Sequence, residues 1–399
     1  MIEMFKDIDT ALSWVMKRRN ETKDFNTFKA LMESLDNPQD KFKTIHVAGT
    51  NGKGSTVTYL RDIFMANGYH VGTLQSPHFL THLDRIRYDG KNIEEDIFLS
   101  ILNKYYDFIV EHNLNMFEID FIIMCEYFKM KKIDVAIIEV GIGGRLDSTN
   151  AINRPLLSII TTIGYDHMDR LGNTLELICK EKCGIIKNNS KVLVGELSGN
   201  LKNIVKEKAA LEHSTYYELD NYKKIRSQYF IYKGKEYQIS SMAIYQLHNA
   251  ALALKAYEIL DYENDEEKTK KALYHSKWNG RFDIVRENPR VILDGAHNID
   301  GVKALSESIK GLKGTKAVLF GALKTKEYQK MIKELEKVAD RIVFTGFSHP
   351  LALKKEDYQG YEYVDDFKKA YEILLKEYDN IIIAGSLYFI SDFASSNIL

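Results

Sequence analysis

The chain has 399 residues, with 55 Lys and Arg against 56 Asp and Glu, and is 45% hydrophobic and 28% charged. This is the composition of an ordinary globular protein, long enough for two domains or one large one. The balanced charge argues against a nucleic-acid partner, three cysteines without a CxxC pair exclude a disulfide framework, and no apolar run approaches the ~18–20 residues of a bilayer span.

In chain order, Met1–Asp9 carries acids early and no apolar h-region, which argues against a signal peptide and for a cytoplasmic enzyme. Ile8–Leu35 has apolar residues at helical spacing and reads as two helices. Thr44–Val47 is a short strand, followed by a glycine-rich turn, a helix over Ser55–Asn67 and a strand over Tyr69–Leu74. That βαβ unit calls for a parallel sheet. The alternation continues with helix Ile119–Lys129, the buried-type strands Val135–Val140 and Leu156–Ile163, helix Thr174–Ile186, strand Lys191–Val194 and helix Leu201–Leu211. Thr215–Ser240, rich in Tyr, Lys and Ser, reads as a β-hairpin insertion turning at Tyr232–Lys235, and helix Leu247–Leu260 follows. Beyond Arg281 a second α/β block runs through strand Val291–Leu293, helix Gly301–Ile309, strand Ala317–Phe320, helix Glu327–Val338, strand Ile342–Thr345, helix Phe367–Lys376 and strand Ile381–Ala384. The expected division is therefore 1–284 and 285–399.

The sharpest local signal is His46-Val47-Ala48-Gly49-Thr50-Asn51-Gly52-Lys53-Gly54-Ser55-Thr56, between a predicted strand and a predicted helix. Glycines let backbone N–H groups close around phosphate oxygens, and the helix N-terminus adds a favourable dipole. Asn51, Gly52, Lys53, Gly54, Ser55 and Thr56 are thus candidate ATP residues, with Lys53 reaching the β- and γ-phosphates and Ser55 able to ligate Mg²⁺. Gly54 intervenes where the strict Walker pattern puts lysine next to the hydroxyl. A ligand-free glycine turn is the plain alternative, and so many phosphate-binding residues in this context disfavour it. Glu139 is the second signal, because it ends an apolar strand where parallel sheets place their ligand crevice. Packing explains a carboxylate there poorly, although an ion pair would.

Three further motifs follow the loop in order. They are Ser76-Pro77-His78 with Asp84-Arg85-Ile86-Arg87, then Glu139-Val140-Gly141-Ile142-Gly143-Gly144-Arg145-Leu146-Asp147-Ser148-Thr149-Asn150, and Asp294-Gly295-Ala296-His297-Asn298. With the loop they resemble folylpolyglutamate synthase of the Mur ligase superfamily, whose bacterial members often also act as dihydrofolate synthase. The resemblance implies an α/β fold, with a P-loop-containing doubly wound N-terminal domain, a smaller Rossmann-like C-terminal domain and a monomeric chain. It also implies an ATP-dependent carboxylate–amine ligase. A folate carboxylate is phosphorylated by ATP, and the amine of L-glutamate displaces the phosphate.

By the same resemblance, Mg²⁺ is held by Ser55 or Ser76, Glu139 and His167, and Lys182 is carbamylated to support a second ion. Without the resemblance, Lys182 on an amphipathic helix and the lone His167 read as ordinary residues. Asn249, Arg281 and Asp294 are implied ATP contacts, and His297 an implied contact of glutamate or the acyl phosphate. That makes Lys53, Lys182 and His297 the catalytic candidates. Phe117, Glu118, Leu146, Asp147 and Ser148 correspond to folate-proximal positions, Phe117 being equally suited to a core. Arg85 and Arg87, on the loop after Ser76, could steer an anionic folate tail, although exposed arginines mostly just solvate a loop. Three positions depart from the family pattern: Asn115 replaces a Thr, Asp24–Phe28 lacks a Gly-Leu-x-Arg signature, and Tyr245 stands where His is common. Competing readings are another Mur-type ligase, a P-loop phosphotransferase without ligation and a silent ATP binder.

Overall fold

The computed structural model describes residues 4–18, 24–396 and 398. Its strands in chain order are β1 (Thr44–Ala48), β2 (Val71–Leu74), β3 (Ile86–Tyr88), β4 (Lys91–Asn92), β5 (Val135–Glu139), β6 (Leu157–Ile160), β7 (Lys191–Val194) and β8 (Thr215–Glu218). They continue as β9 (Tyr222–Arg226), β10 (Tyr229–Tyr232), β11 (Lys235–Gln238), β12 (Arg281–Glu287), β13 (Arg290–Asp294), β14 (Lys316–Phe320), β15 (Arg341–Phe344) and β16 (Asn380–Ala384). The chain divides into two compact units. One comprises the described residues up to Ile163, His167–Asp220 and Leu252–Ala272; the other comprises Gly164–Asp166, Asn221–Ala251 and the described residues from Leu273 onward. Residue 284, the sequence-based boundary, falls inside β12.

In the first unit eight strands lie in the order β4-β3-β2-β5-β1-β6-β7-β8. Neighbours from β2 to β8 are parallel, and β3 and β4 add an antiparallel hairpin at one edge. β1 lies between β5 and β6, so the winding reverses beside it and opens a crevice at the carboxyl ends of these strands. Both β1 and β5 are buried along their whole length, which is why they read as near-continuous apolar runs. The helix Met116–Lys131 is apolar nearly all round. It buries Phe121, Ile122, Met124 and Phe128 in one core with Leu74, Ala136 and Ile138 of the sheet, and helices Ile8–Lys17 and Glu95–Lys104 also pack on it. Asn115 starts this helix by accepting hydrogen bonds from Phe117 N and Glu118 N at 2.9 and 3.0 Å, so an amide oxygen does the capping a Thr hydroxyl would do.

The second unit contains a five-stranded sheet in the order β12-β13-β16-β14-β15, parallel except for β12. It also holds the antiparallel sheet β11-β10-β9. Here the structure corrects one expectation. Thr215–Ser240 is not a single hairpin insertion, because Thr215–Glu218 pairs in parallel with β7 as the edge of the large sheet. Only β9 to β11 form the insertion, with the turn at Tyr232–Lys235 as expected. Among the described residues no helix is long and apolar enough to cross a membrane.

Candidate active site

The glycine loop leaves β1 and is tied to the exit of β6. Thr50 N donates to Thr162 O at 2.8 Å and Asn51 N to Thr162 Oγ1 at 3.0 Å, while Thr161 Oγ1 donates to Asn51 O at 2.6 Å. Gly49 is required by this closeness, since a Cβ there would lie 1.9 Å from Thr161 Oγ1. The helix Lys53–Ala66 starts directly from the loop, with Gly52 as its left-handed N-cap at φ 84°. Its first turn therefore presents backbone N–H groups at a positive dipole end. Ser55 is 2% exposed, and Thr56 Oγ1 is buried with no hydrogen-bond partner among the described residues. Gln75, just after β2, donates to Gly54 O at 3.0 Å and braces the loop from the other side.

Two lysines and one carboxylate converge here. Lys53 Nζ lies 3.9 Å from Glu139 Oε1 and donates to Gly49 O at 3.2 Å. Lys182 Nζ, on the helix Leu175–Cys183, donates to the same carbonyl at 2.9 Å. Lys182 and Glu139 are each only 4% exposed. The lysine that reads as a solvated helix residue is therefore buried against the phosphate loop. Ser76 opens the loop after β2, and His167, half-buried with φ 50°, caps the short helix Met168–Leu171.

On the side following β5, Asp147 organises the turn. Its Oδ2 accepts from Ile142 N at 2.9 Å, and its Oδ1 accepts from Thr149 N at 3.0 Å and Thr149 Oγ1 at 2.6 Å. Burial pushes the Asp147 carboxyl up from its ordinary value, against these donors. His46 Nε2 lies 2.8 Å from Thr149 Oγ1, and burial drives this imidazole from 6.5 down to about 3. The Phe117 ring and Asp147 both border Gly141, each 3.0 Å from where a Cβ would stand. Glu118 accepts from Asn115 N at 2.8 Å as the second half of the helix cap, Leu146 is 58% exposed, and Ser148 opens a 3₁₀ turn.

In the second unit, Asp294 is 2% exposed at the end of β13. It accepts from Tyr245 OH at 2.5 Å, Phe282 N at 2.9 Å and Ala296 N at 2.8 Å. Asn249 is buried and donates to Gln246 Oε1 at 3.0 Å. His297 Nδ1 lies 2.8 Å from Gly295 O, and its Nε2 lies 3.3 Å from Asp166 Oδ2. Asp166 also takes Asn298 Nδ2 at 3.0 Å and pairs with Lys326.

Residues 47–257 match the Mur ligase middle domain, and residues 280–387 match the Mur ligase glutamate ligase domain. A dihydrofolate synthase/folylpolyglutamate synthase of Bacillus subtilis is 34% identical over 425 aligned residues, covering 98% of this chain and 99% of the relative. The chain belongs to this family of Mur ligases. The fold agrees. The bifunctional folylpolyglutamate synthase/dihydrofolate synthase of Yersinia pestis, complexed with AMPPNP and Mn ion, superposes with a TM-score of 0.90 at 25% identity, covering 100% of both chains. E. coli FolC in complex with DHPP and ADP does so with a TM-score of 0.88 at 25% identity, covering 99% and 98% of the two chains.

Set beside this family, the structure brings together Asn51–Thr56, Glu139 and Lys182 in one unit and Arg281, Asp294 and His297 in the other. Arg85 and Arg87 are not exposed steering residues. Arg85 is 4% exposed and lies 3.7 Å from Asp120; Arg87 bonds to Gln75 at 3.0 Å and lies 3.6 Å from Asp84. Sequence reasoning missed Thr161 and Thr162, whose signal is a hydroxyl pair directly after an apolar strand. It also missed Asp166 and Lys326, which no local pattern connects.

Proposed function

We propose that this protein joins L-glutamate to a reduced folate, with ATP split to ADP and phosphate. The observation that carries the reading is the convergence of Lys53, Glu139 and Lys182 on the Gly49 loop, in a chain of the folylpolyglutamate synthase family. The folate carboxylate attacks the γ-phosphorus, the bond to ADP breaks, and an acyl phosphate forms. The glutamate amine then attacks the acyl carbon, phosphate leaves with the bonding pair, and the amine proton passes to solvent or base. Phosphoryl transfer needs positioning and charge neutralisation more than covalent help. Lys53 and the first-turn N–H groups supply these from the loop, and Arg281 adds a guanidinium to the phosphates. Asn249 and Asp294 hold the nucleotide, and His297 meets the incoming glutamate or the acyl phosphate. Phe117, Leu146, Asp147 and Ser148 border the folate, while Glu118 serves through its cap of the helix behind Phe117.

Mg²⁺ suits this donor set. Among the described residues no group of three or more His, Cys, Asp or Glu could hold a metal by itself. Mg²⁺ binds through one or two carboxylates plus substrate phosphates and water, and Glu139 is a buried carboxylate within 3.9 Å of the loop lysine. Glu139 would hold it with Ser55 or Ser76 and His167, and a carbamate on Lys182 would support a second ion. Bound there, it would neutralise phosphate charge. The compartment proposed is the cytoplasm, and the chain is proposed to work as a monomer.

The test is ADP release by purified protein with Mg-ATP, each acceptor and donor being omitted in turn, with mass spectrometry of the products. ADP that requires both a reduced folate and glutamate, with one glutamyl unit gained, is the expected result. Dihydropteroate serving equally well adds the dihydrofolate synthase activity, which the Bacillus subtilis relative's name includes. ADP released without glutamate rejects ligation in favour of phosphotransfer, and a different carboxylate acceptor points to another Mur-type substrate.

A further inference from the structure

The chain around Arg281 is held in a conformation that its residues do not favour. Phe282 has φ 52°, in the left-handed region that is costly for a bulky aromatic residue, yet its ring is 3% exposed in the unit's core. Strain of this kind persists only where neighbours over-determine it. Asp294 is that neighbour: Oδ2 accepts from Phe282 N at 2.9 Å while Oδ1 accepts from Ala296 N at 2.8 Å, clamping the turn to the end of β13. The Arg281 guanidinium is directed by the same turn. Nη1 donates to Gly280 O at 3.1 Å, and it runs so close over Gly295 that a Cβ there would come within 2.1 Å of it.

The clamp needs Asp294 as a carboxylate. Burial pushes this group up from its ordinary value, and the Tyr245 hydroxyl is the foremost influence drawing it back, followed by the Arg281 charge. That hydroxyl donates to Oδ2 at 2.5 Å, beside the Phe282 N–H.

We infer that Tyr245 is a positioning residue for Arg281: its hydroxyl fixes the Asp294 carboxylate, which holds Phe282 in the left-handed region and keeps the guanidinium laid along Gly295 for a polyphosphate oxygen. The inference rests on the proposal that Arg281 binds ATP. It gives the departure at position 245 a task, since a phenol and an imidazole can each offer a hydrogen to the carboxylate.

Tyr245→Phe deletes one oxygen and leaves the packing in place. Affinity for Mg-AMPPNP is measured by calorimetry on the full chain, beside KM values for ATP, glutamate and folate. The Kd for AMPPNP and the KM for ATP rise about ten-fold or more, as expected when a buried carboxylate loses a hydroxyl donor, while the other two KM values stay within about two-fold. Tyr245→His recovers part of the loss. On an Arg281→Met background, Tyr245→Phe adds less than about two-fold, because both changes remove one coupled unit. Wild-type AMPPNP affinity in Tyr245→Phe, equal rises in all three KM values, or the same ten-fold loss on the Arg281→Met background overturns the inference. Should Tyr245→Phe fail to fold, an AMPPNP affinity for Tyr245→His no better than that of Arg281→Met does so too. Tyr245-dependent AMPPNP binding without any glutamate ligation rejects the ligase reading and leaves this one standing. Ligation with Tyr245-independent affinity does the reverse.

Discussion

Lys182 Nζ reaches the Gly49 carbonyl at 2.9 Å, so changing this lysine touches the phosphate loop directly. A carbamate there would keep one N–H for that bond while replacing the cation with an anion. Lys182→Ala is expected to lower turnover by about 10–100-fold, the usual range for lost metal support, and acetate or formate should restore part of it. Full turnover in the variant, or a loss that neither anion relieves, leaves Lys182 as a loop anchor only. His46 gives a second prediction at this scale. Its buried imidazole titrates at about 3 instead of 6.5, so the unfolded chain takes up a proton that the folded chain refuses. Stability from this group is fully present above 6.5 and falls as pH drops towards 3, by about 1.4 kcal/mol per pH unit. His46→Gln keeps a donor for Thr149 but cannot titrate, so its stability should fall less, by about 2–3 kcal/mol between pH 6.5 and 4.5. Denaturant titrations giving parallel pH curves for the two proteins would count against it. The loop and Glu139 could be read from local pattern, the first as a contiguous glycine motif and the second at a strand end, whereas Lys182 stood out only through the family resemblance. Asp166 with Lys326, and Tyr245 with Asp294, were not, because these partners meet only through tertiary structure.

At the level of elements, the contact between β2 and the helix Met116–Lys131 is a tight constraint on packing in the first unit. A Cβ on Gly72 would stand 2.6 Å from Phe128 Cζ, and the Phe128 ring is fully buried and packs edge-on against Phe42 at 5.7 Å. Gly72→Ala should therefore cost about 1–3 kcal/mol by overpacking. Phe128→Leu also destabilises by itself, but the double variant should lose less than the two single losses combined, because the smaller side chain makes room for the methyl. Urea midpoints that simply add would show that the helix shifts freely over the strand. The alternation of parallel strands and helices was legible because strands buried on both faces are short apolar, β-branched runs, such as Val135–Glu139. The edge elements were not. The β3–β4 hairpin is built from strands of three and two residues, too short for a period to show, the helix Glu266–His275 is mostly charged or polar, and β12 sets charged residues between apolar ones at the sheet edge. Thr215–Glu218 was grouped with the insertion because its tyrosines suit either sheet; pairing with β7 assigns it to the large one.

For the whole molecule, the way the chain is divided matters more than the count of elements. It passes between the two units at 163/164, 166/167, 220/221, 251/252 and 272/273, so neither unit is one continuous piece of sequence. The matched glutamate ligase domain begins at 280, before β12 starts. A cut at 284 would divide β12, removing Phe282 from the core and its N–H from Asp294, and baring the edge of β13 along Ile292, Leu293 and Asp294. Uncovered apolar strand edges promote association. A piece spanning 273–399 keeps β12 paired and all five strands of the sheet, although it lacks Ala243 and Tyr245 of the same core. The expected outcome is a cooperative thermal transition with near-ultraviolet circular dichroism for 273–399. The 285–399 piece should instead bind a hydrophobic dye and melt without a clear transition, retaining secondary structure but not packing. Equal, cooperative melts for both pieces would show that β12 contributes little to this unit, and that its antiparallel pairing serves to present Arg281 rather than to complete the sheet.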